Sequence, residues 1–262
     1  MTFAYQQATS VADAAQAVRG NSEAKILAGG QSLLAAIKQG LAAPEALIDL
    51  SGLTDLKGIK VDAGKVTIGA MTTHAAVAAS VDLAAAIPAL ADLAGRIGDR
   101  QVRNRGTIGG SLANNDPAAC YPAAVLALGA TIHTDRRSIA ADDFFKGLYE
   151  TALAEGEIIS SVSFPIPEKA GWQKFKQPAS RFSIVGVFAA KTAGGVRVAV
   201  TGAGSCVFRA TAIEAALSSS WTAAAAQAVS ISDEGLNNDL HGSAAYRAAL
   251  IPVLAGRAVA AA

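Results

Sequence analysis

The chain has 262 residues, with 22 Lys and Arg against 21 Asp and Glu, for a net charge of +1. Apolar residues make up 52% and charged residues 16%, and mean hydropathy is +0.34, which excludes a disordered chain and leaves ample material for a core. The even charge argues against a nucleic-acid footprint, and two distant cysteines with three scattered histidines exclude a zinc spacing or a standard iron–sulfur cluster, which needs about four thiolates.

Met1–Gln7 carries no basic or apolar signal segment. Ser10–Arg19 reads as a helix capped by Ser10, with Val11, Ala14, Ala15 and Val18 on one face. Lys25–Leu27 is a short strand running into Gly29-Gly30, a helix follows over Ser32–Lys38, and Ala46–Leu50 is a second strand. Gly58–Val61 and Lys65–Gly69 form a hairpin around Asp62-Ala63-Gly64. Thr73–Ser80 and Val81–Gly95 are helical, with Pro88 near a helix start. Gly106–Pro117 is a Gly/Asn-rich loop, Pro122–Leu128 a helix and Ala130–Thr134 a strand. Pro165-Ile166-Pro167 marks a boundary. Beyond it, Trp172–Lys176, Ile184–Ala190 and Val196–Thr201 are strands, joined in part by Ala193-Gly194-Gly195. Ala210–Ser218, Ala223–Val229 and Ala244–Ala260 are helices. No stretch matches the roughly 20 apolar residues of a membrane helix, so a soluble, cytoplasmic protein is expected.

Two segments have the form of anion cradles. In Lys25–Leu34 a strand meets Gly29-Gly30, whose freedom at positive φ turns backbone amides toward one spot at a helix start, with Ser32 as an added donor. The alternative is an ordinary turn with Ser32 as a helix cap. In Arg105–Pro117 a second pair, Gly109-Gly110, lies between Thr107 and Ser111 and precedes Asn114, Asn115 and Asp116. Close backbone approach to a ligand explains the glycines, and a hydrogen-bonded loop is the alternative. Two such segments suit a diphosphate. A rival Gly-x-Gly follows the strand at Val198, but Val207 stands where a dinucleotide fold needs a small residue, and no acid follows about 20 residues later. A glycine-rich strand end is the preferred reading there. Lys174 and Lys176 flank Phe175 and share a strand face. His74 reads as a residue that caps or packs locally, and Cys120 as a small buried one.

Together, Leu27-Ala-Gly-Gly-Gln-Ser32 and Thr107-Ile-Gly-Gly-Ser111, about eighty residues apart, resemble the two flavin-binding signatures of the medium subunit of molybdenum hydroxylases, the family of xanthine dehydrogenase and the carbon monoxide dehydrogenase flavoprotein. Ile68–Thr73, Gln101-Val-Arg103, Asn114–Pro117, Gly156–Ile159 with Phe164-Pro165, and Phe175-Lys-Gln177 extend the resemblance along the chain. It implies an α+β fold with a vanillyl-alcohol-oxidase-type FAD-binding domain of two α/β subdomains, 1–56 and 57–167. A C-terminal domain, 168–262, would hold a three-stranded antiparallel sheet with a helical bundle. It implies FAD held by Ala28, Gly29, Gly30, Gln31 and Ser32, by Thr107, Ile108, Gly109, Gly110 and Ser111, and by Asn114, Asp116, Ile159, Lys176 and Phe182. Gln31 replaces a His common in relatives, Phe182 a Tyr, and Cys120 a carboxylate, so Cys120 receives no ligand role.

The implied function is electron transfer without substrate chemistry in this chain. A large partner subunit would carry the molybdenum cofactor and a small one two [2Fe–2S] clusters, in a dimer of heterotrimers with no nucleic acid and no membrane span. A stand-alone flavin oxidase and an FAD-dependent assembly factor are the alternatives. Bulkier residues at Gly109 or Gly110 are expected to empty the site while the fold survives.

Overall fold

The computed structural model describes residues 3–262; Met1 and Thr2, part of the segment read for an N-terminal signal, lie outside the described residues. The first unit comprises β1 (Ala4–Gln7), α1 (Val11–Gly20), β2 (Ala24–Leu27), α2 (Leu33–Lys38) and β3 (Ala46–Asp49). Ser10 Oγ accepts the Asp13 amide at 3.0 Å, and α1 buries Ala14, Ala15 and Val18. The strands are parallel in the order β1-β3-β2. β1 escapes a sequence reading because all four of its residues are exposed and show no apolar alternation; pairing with β3 makes it a strand.

The second unit runs through β4 (Ile59–Asp62), β5 (Lys65–Gly69), α3 (His74–Ala79), α4 (Val81–Ala86), α5 (Pro88–Gly95), α6 (Arg100–Arg105), α7 (Ile108–Asn114), α8 (Tyr121–Ala127), β6 (Thr131–Thr134), β7 (Ser138–Ala140), α9 (Ala141–Phe144), β8 (Phe145–Gly147), β9 (Glu150–Thr151) and β10 (Ile159–Pro165). Its antiparallel sheet has the order β4-β5-β10-β6-β7. The helix expected over 81–95 is broken at Ile87, whose φ of −140° and ψ of 75° lie outside the helical region, as the residue before a proline prefers. The expected loop over 106–117 is instead mostly helix. Thr107 Oγ1 caps the Gly110 amide at 3.1 Å, and packing overrides the low helix propensity of the two glycines.

The third unit holds β11 (Lys169–Lys176), β12 (Ser183–Thr192), β13 (Gly195–Thr201), β14 (Phe208–Arg209), α10 (Thr211–Ser219), α11 (Ala223–Gln227) and α12 (Ala244–Ala260). Its antiparallel sheet has four strands in sequential order, not three. The fourth is two residues long, too short to show a period-two pattern. β12 is buried on both faces, which explains its unbroken apolar run. Phe188 and Ala190 join the core of the second unit, while Val185, Val187 and Ala189 face α10–α12. The C-terminal sheet is therefore clamped between the second unit and its own helices. Among the described residues no helix is long and apolar enough to cross a membrane.

Candidate functional site

The three units meet around a cleft of about 490 Å³. Its walls include Ala28–Ser32 between β2 and α2, and Thr107 with Gly109–Ser111 at the start of α7. The two glycine segments are in direct contact. A Cβ on Gly29 would lie 2.0 Å from the Arg105 carbonyl oxygen and 2.7 Å from Gly106 Cα. A Cβ on Gly110 would lie 3.4 Å from that of Ala28 and 3.0 Å from Thr107 Oγ1.

The glycines differ in purpose from the sequence expectation. Of the four, only Gly30 is at positive φ, 71°. Gly29 makes room for the Arg105–Gly106 backbone. Gly109 makes room for Ala70, whose Cβ and carbonyl oxygen lie 2.6 and 2.8 Å from where its own Cβ would be, so a bulkier residue at Gly109 damages the fold as well. Gly110 is on the cleft wall and, unlike Gly29 and Gly109, would bring its Cβ against side chains rather than backbone.

The amides also divide unequally. Among the described residues those of Gly29, Gly30, Gln31 and Ser32 find no acceptor. The corresponding groups of the second segment are occupied: Ile108 donates to the Thr72 carbonyl, Gly109 to Ala70, Gly110 to Thr107 Oγ1 and Ser111 to the Thr107 carbonyl. Only the first segment is thus an open amide cradle. The second supplies a wall and the Ser111 hydroxyl.

Asn114, Asp116, Ile159 and Phe182 also line the cleft. The Asp116 carboxylate accepts the Ala118 amide at 2.8 Å, and burial raises its pKa. Ile159 sits where β10 shifts register against β6, an irregularity of the kind that re-aims side chains. Phe182 is half-exposed. Ile108 and Lys176 are not on the wall. Ile108 is fully buried in the core of the second unit. Lys176 lies past a register shift between Phe175 and Lys176 and is exposed, so the expected shared face with Lys174 is interrupted there. Lys174 lines the cleft instead, donating to the Arg181 carbonyl at 2.8 Å and to Cys120 Sγ at 3.4 Å. Cys120 is itself a wall residue.

His74, read as capping or packing locally, also lines the cleft, and Glu157 was given no site role. Glu157 lines the cleft beside Ile158 and Ile159. Its carboxylate accepts two bonds from Arg137 at 2.9 Å, one from Thr134 Oγ1 and one from the Ala154 amide. Hydrogen bonding from Arg137 is the main cause that holds its pKa down to about 2, against an ordinary value of 4.5. Its contribution to stability is therefore full above about pH 4.5 and is lost as pH falls toward 2. Wild type is expected to exceed Glu157→Gln in urea midpoint at pH 7, with the gap closing between pH 4.5 and 2; a constant gap across that window contradicts the assignment.

Residues 1–167 match the family described as the FAD binding domain in molybdopterin dehydrogenase. The chain is 35% identical to the nicotine 6-hydroxylase medium subunit of Paenarthrobacter nicotinovorans, over 97% of this chain and 95% of that one. It is also 35% identical to the carbon monoxide dehydrogenase medium chain of Hydrogenophaga pseudoflava, over 98% and 96%. Among solved structures, the Hydrogenophaga pseudoflava carbon monoxide dehydrogenase that lacks the Mo-pyranopterin moiety of its molybdenum cofactor superposes with a TM-score of 0.90, at 35% identity, over 100% of this chain and 97% of that one. Quinoline 2-oxidoreductase from Pseudomonas putida 86 superposes with a TM-score of 0.89, at 31% identity, over 100% and 97%.

Proposed function

Because the chain belongs to the family of FAD-binding domains of molybdopterin dehydrogenases, we propose that it is the FAD-carrying medium subunit of a heteromeric molybdenum hydroxylase. The observation that carries this reading is the cleft itself, where four free amides of one glycine segment lie against a second segment about eighty residues away. Free amides at a helix start hold phosphate oxygens. Bound FAD supplies exchange between one-electron carriers and a two-electron acceptor.

In this reading Gly29–Ser32 bind the diphosphate, with Ala28 and Gly110 as the close-fitting floor. Thr107 and Ser111 flank it. Asp116 and Asn114 would hydrogen-bond hydroxyl groups of the cofactor, and Ile159 and Phe182 would pack against it. Lys174 takes the lysine position first given to Lys176. The chain would position the cofactor. Substrate oxidation belongs to a large partner with the molybdenum cofactor. Electrons arrive through two [2Fe–2S] clusters in a small partner. The names of similar proteins as medium subunits and chains support a subunit over a stand-alone oxidase. A vanillyl-alcohol-oxidase-type arrangement of units 1–56 and 57–167 with a C-terminal unit 168–262, a dimer of heterotrimers and a cytoplasmic location complete the proposal. The three main sheets fall one in each unit, which supports the division.

The test is flavin and metal analysis of the native complex, with FAD titration of the full chain. One FAD per chain is expected, together with molybdenum- and iron-bearing partners. Gly110→Val and Lys174→Met are expected to weaken FAD binding at least tenfold, with a smaller fall in apo melting temperature than Gly29→Ala, and Lys176→Met to leave binding unchanged. A wild-type chain that takes up no FAD, or a Gly110→Val protein that loads fully, overturns the reading.

A further inference from the structure

Four large apolar side chains lie exposed beside the cleft: Leu240 is 91% exposed, Phe182 51%, Tyr246 43% and Phe175 40%. Their contacts make them one surface. The Phe175 and Tyr246 rings meet edge to face, with centroids 6.1 Å apart. A Cβ on Gly242 would lie 3.2 Å from Tyr246 Cδ1, and Gly242 pairs with Asp239 across the turn that carries Leu240. Gln177 joins that turn to Phe182. Its side-chain Nε2 bonds His241 Nδ1 at 3.0 Å, and its backbone amide donates to the Phe182 carbonyl at 2.8 Å. Phe182 is also a wall residue of the cleft.

The turn holds Leu240 out in water. Asp239 and Gly242 exchange two backbone hydrogen bonds, at 3.2 and 3.3 Å. The Asp239 carboxylate accepts the His241 amide at 2.8 Å and two bonds from the buried Arg247. A leucine fixed in this way has little freedom left to lose on binding. At about 200 Å² for a fully exposed side chain, the four present roughly 450 Å², a size at which an apolar patch marks an interaction site. A permanent subunit interface takes about 1,000 Å² or more from each side, whereas transient electron-transfer encounters bury less than about 1,200 Å² in all. The patch fits the second class. The free charge beside it is positive. Lys176 follows Phe175 and Arg181 precedes Phe182, and both are exposed. The Arg181 guanidinium bonds the Gly98 carbonyl rather than a carboxylate. Asp239, the carboxylate of this turn, is already neutralised by Arg247.

We propose that this rim is the docking surface for the terminal electron acceptor, and that the acceptor is a redox protein with a carboxylate-rich face. Leu240 and the Phe175–Tyr246 pair supply the apolar centre, and Lys176 and Arg181 steer the partner. Phe182 places the docked protein beside the cleft. Two molecules of a one-electron acceptor dock in turn for each two-electron oxidation of the cofactor, and the protons released pass to solvent. The inference rests on the reading of the cleft as a flavin site for its electrons, but the docking itself is measurable without them.

Binding of cytochrome c to the immobilised full chain is the test, because succinylation turns the lysines of that protein into carboxylates and leaves its redox centre in place. Succinylated cytochrome c is expected to bind at least tenfold more tightly than the unmodified protein, and to lose affinity as ionic strength rises from about 20 to 200 mM. Leu240→Ser and Lys176→Glu are each expected to weaken that binding about tenfold with no change in melting temperature, since both side chains are exposed. In the FAD-loaded chain reduced by dithionite, the same two variants should slow reduction of succinylated cytochrome c by a similar factor and leave reduction of duroquinone, a small neutral acceptor, unchanged. Equal binding of the two cytochromes, or wild-type binding by Leu240→Ser, overturns the inference. So does a native complex that sheds its partner subunits on Leu240→Ser, or a dimeric wild-type chain that this change makes monomeric, because the rim is then a permanent interface. If wild type takes up no FAD, the flavin reading fails and the acceptor role with it; if wild type loads and binds neither cytochrome, only this inference fails.

Discussion

Gly29→Ala is expected to lower the apo melting temperature by roughly 5–10 °C and to abolish FAD loading in the same protein. The added Cβ would sit 2.0 Å from the Arg105 carbonyl oxygen, 2.6 Å from the Arg105 carbonyl carbon and 2.7 Å from Gly106 Cα. All three obstacles are backbone, so no side-chain rotation relieves the clash. Overpacking of this kind costs about 1–3 kcal/mol, and relief requires that the Arg105–Gly106 segment move off β2 and the turn after it. That movement drags Thr107 and α7 away from the amides of Gly29–Ser32 and opens the cleft. Stability and binding must then fall together. Gly110→Val is expected to cost less stability than Gly29→Ala, because its Cβ would press on side chains, Thr107 Oγ1 at 3.0 Å and Ala28 Cβ at 3.4 Å, rather than on backbone. Calorimetry of the apo forms and the flavin absorbance of the purified proteins measure both effects. A Gly29→Ala protein that keeps its melting temperature and its flavin would show that the two segments do not depend on this contact.

The contrast explains what was legible in the chain. Both glycine segments were visible, and so was the expectation that they meet, because paired glycines beside hydroxyl residues suit close backbone approach. What the glycines approach was not visible. Gly109 gives way to Ala70 and Gly29 to Arg105, and such partners are set by tertiary contact rather than local pattern. The same limit hid α7, whose glycines read as loop until Thr107 caps them. It also hid that Lys174, and not Lys176, lines the cleft, which turns on a one-residue register shift between β11 and β12. β12 was legible for the opposite reason: burial on both faces leaves a continuous apolar run. His74 was legible as a residue that caps or packs locally: its ring is buried beneath Gly106 and beside Tyr121.

Arg247→Met is expected to destabilise the protein by about 3 kcal/mol without changing FAD affinity in the folded fraction. The reason lies in the Gly202–Val207 turn, the rival dinucleotide motif. A phosphate site needs amides pointing outward, but here the Gly202 amide donates to the Pro117 carbonyl at 2.7 Å. The turn presents carbonyls instead. Gly202 accepts Arg247 Nη1 at 2.9 Å, and Asn237 Nδ2 bonds the Gly204 carbonyl at 2.9 Å. Arg247, 3% exposed, also donates to the Ile184 carbonyl at 2.7 Å and in two bonds to Asp239 at 2.8 and 2.9 Å. The polarity is that of a cation site filled by the chain's own guanidinium, which ties α12 to the ends of β12 and β13. Removing it takes the Arg247 donor from the Ile184 carbonyl and leaves the Gly202 carbonyl the longer bond from Asn237 Nδ2 at 3.3 Å, while the half-exposed Asp239 regains water, which places the loss near the lower end of about 3–5 kcal/mol for a broken buried pair. Urea unfolding with an unchanged m-value measures it, and FAD titration at low temperature checks the cleft. Loss of flavin binding at full stability would instead make this turn part of the cofactor site and return the rival motif to consideration.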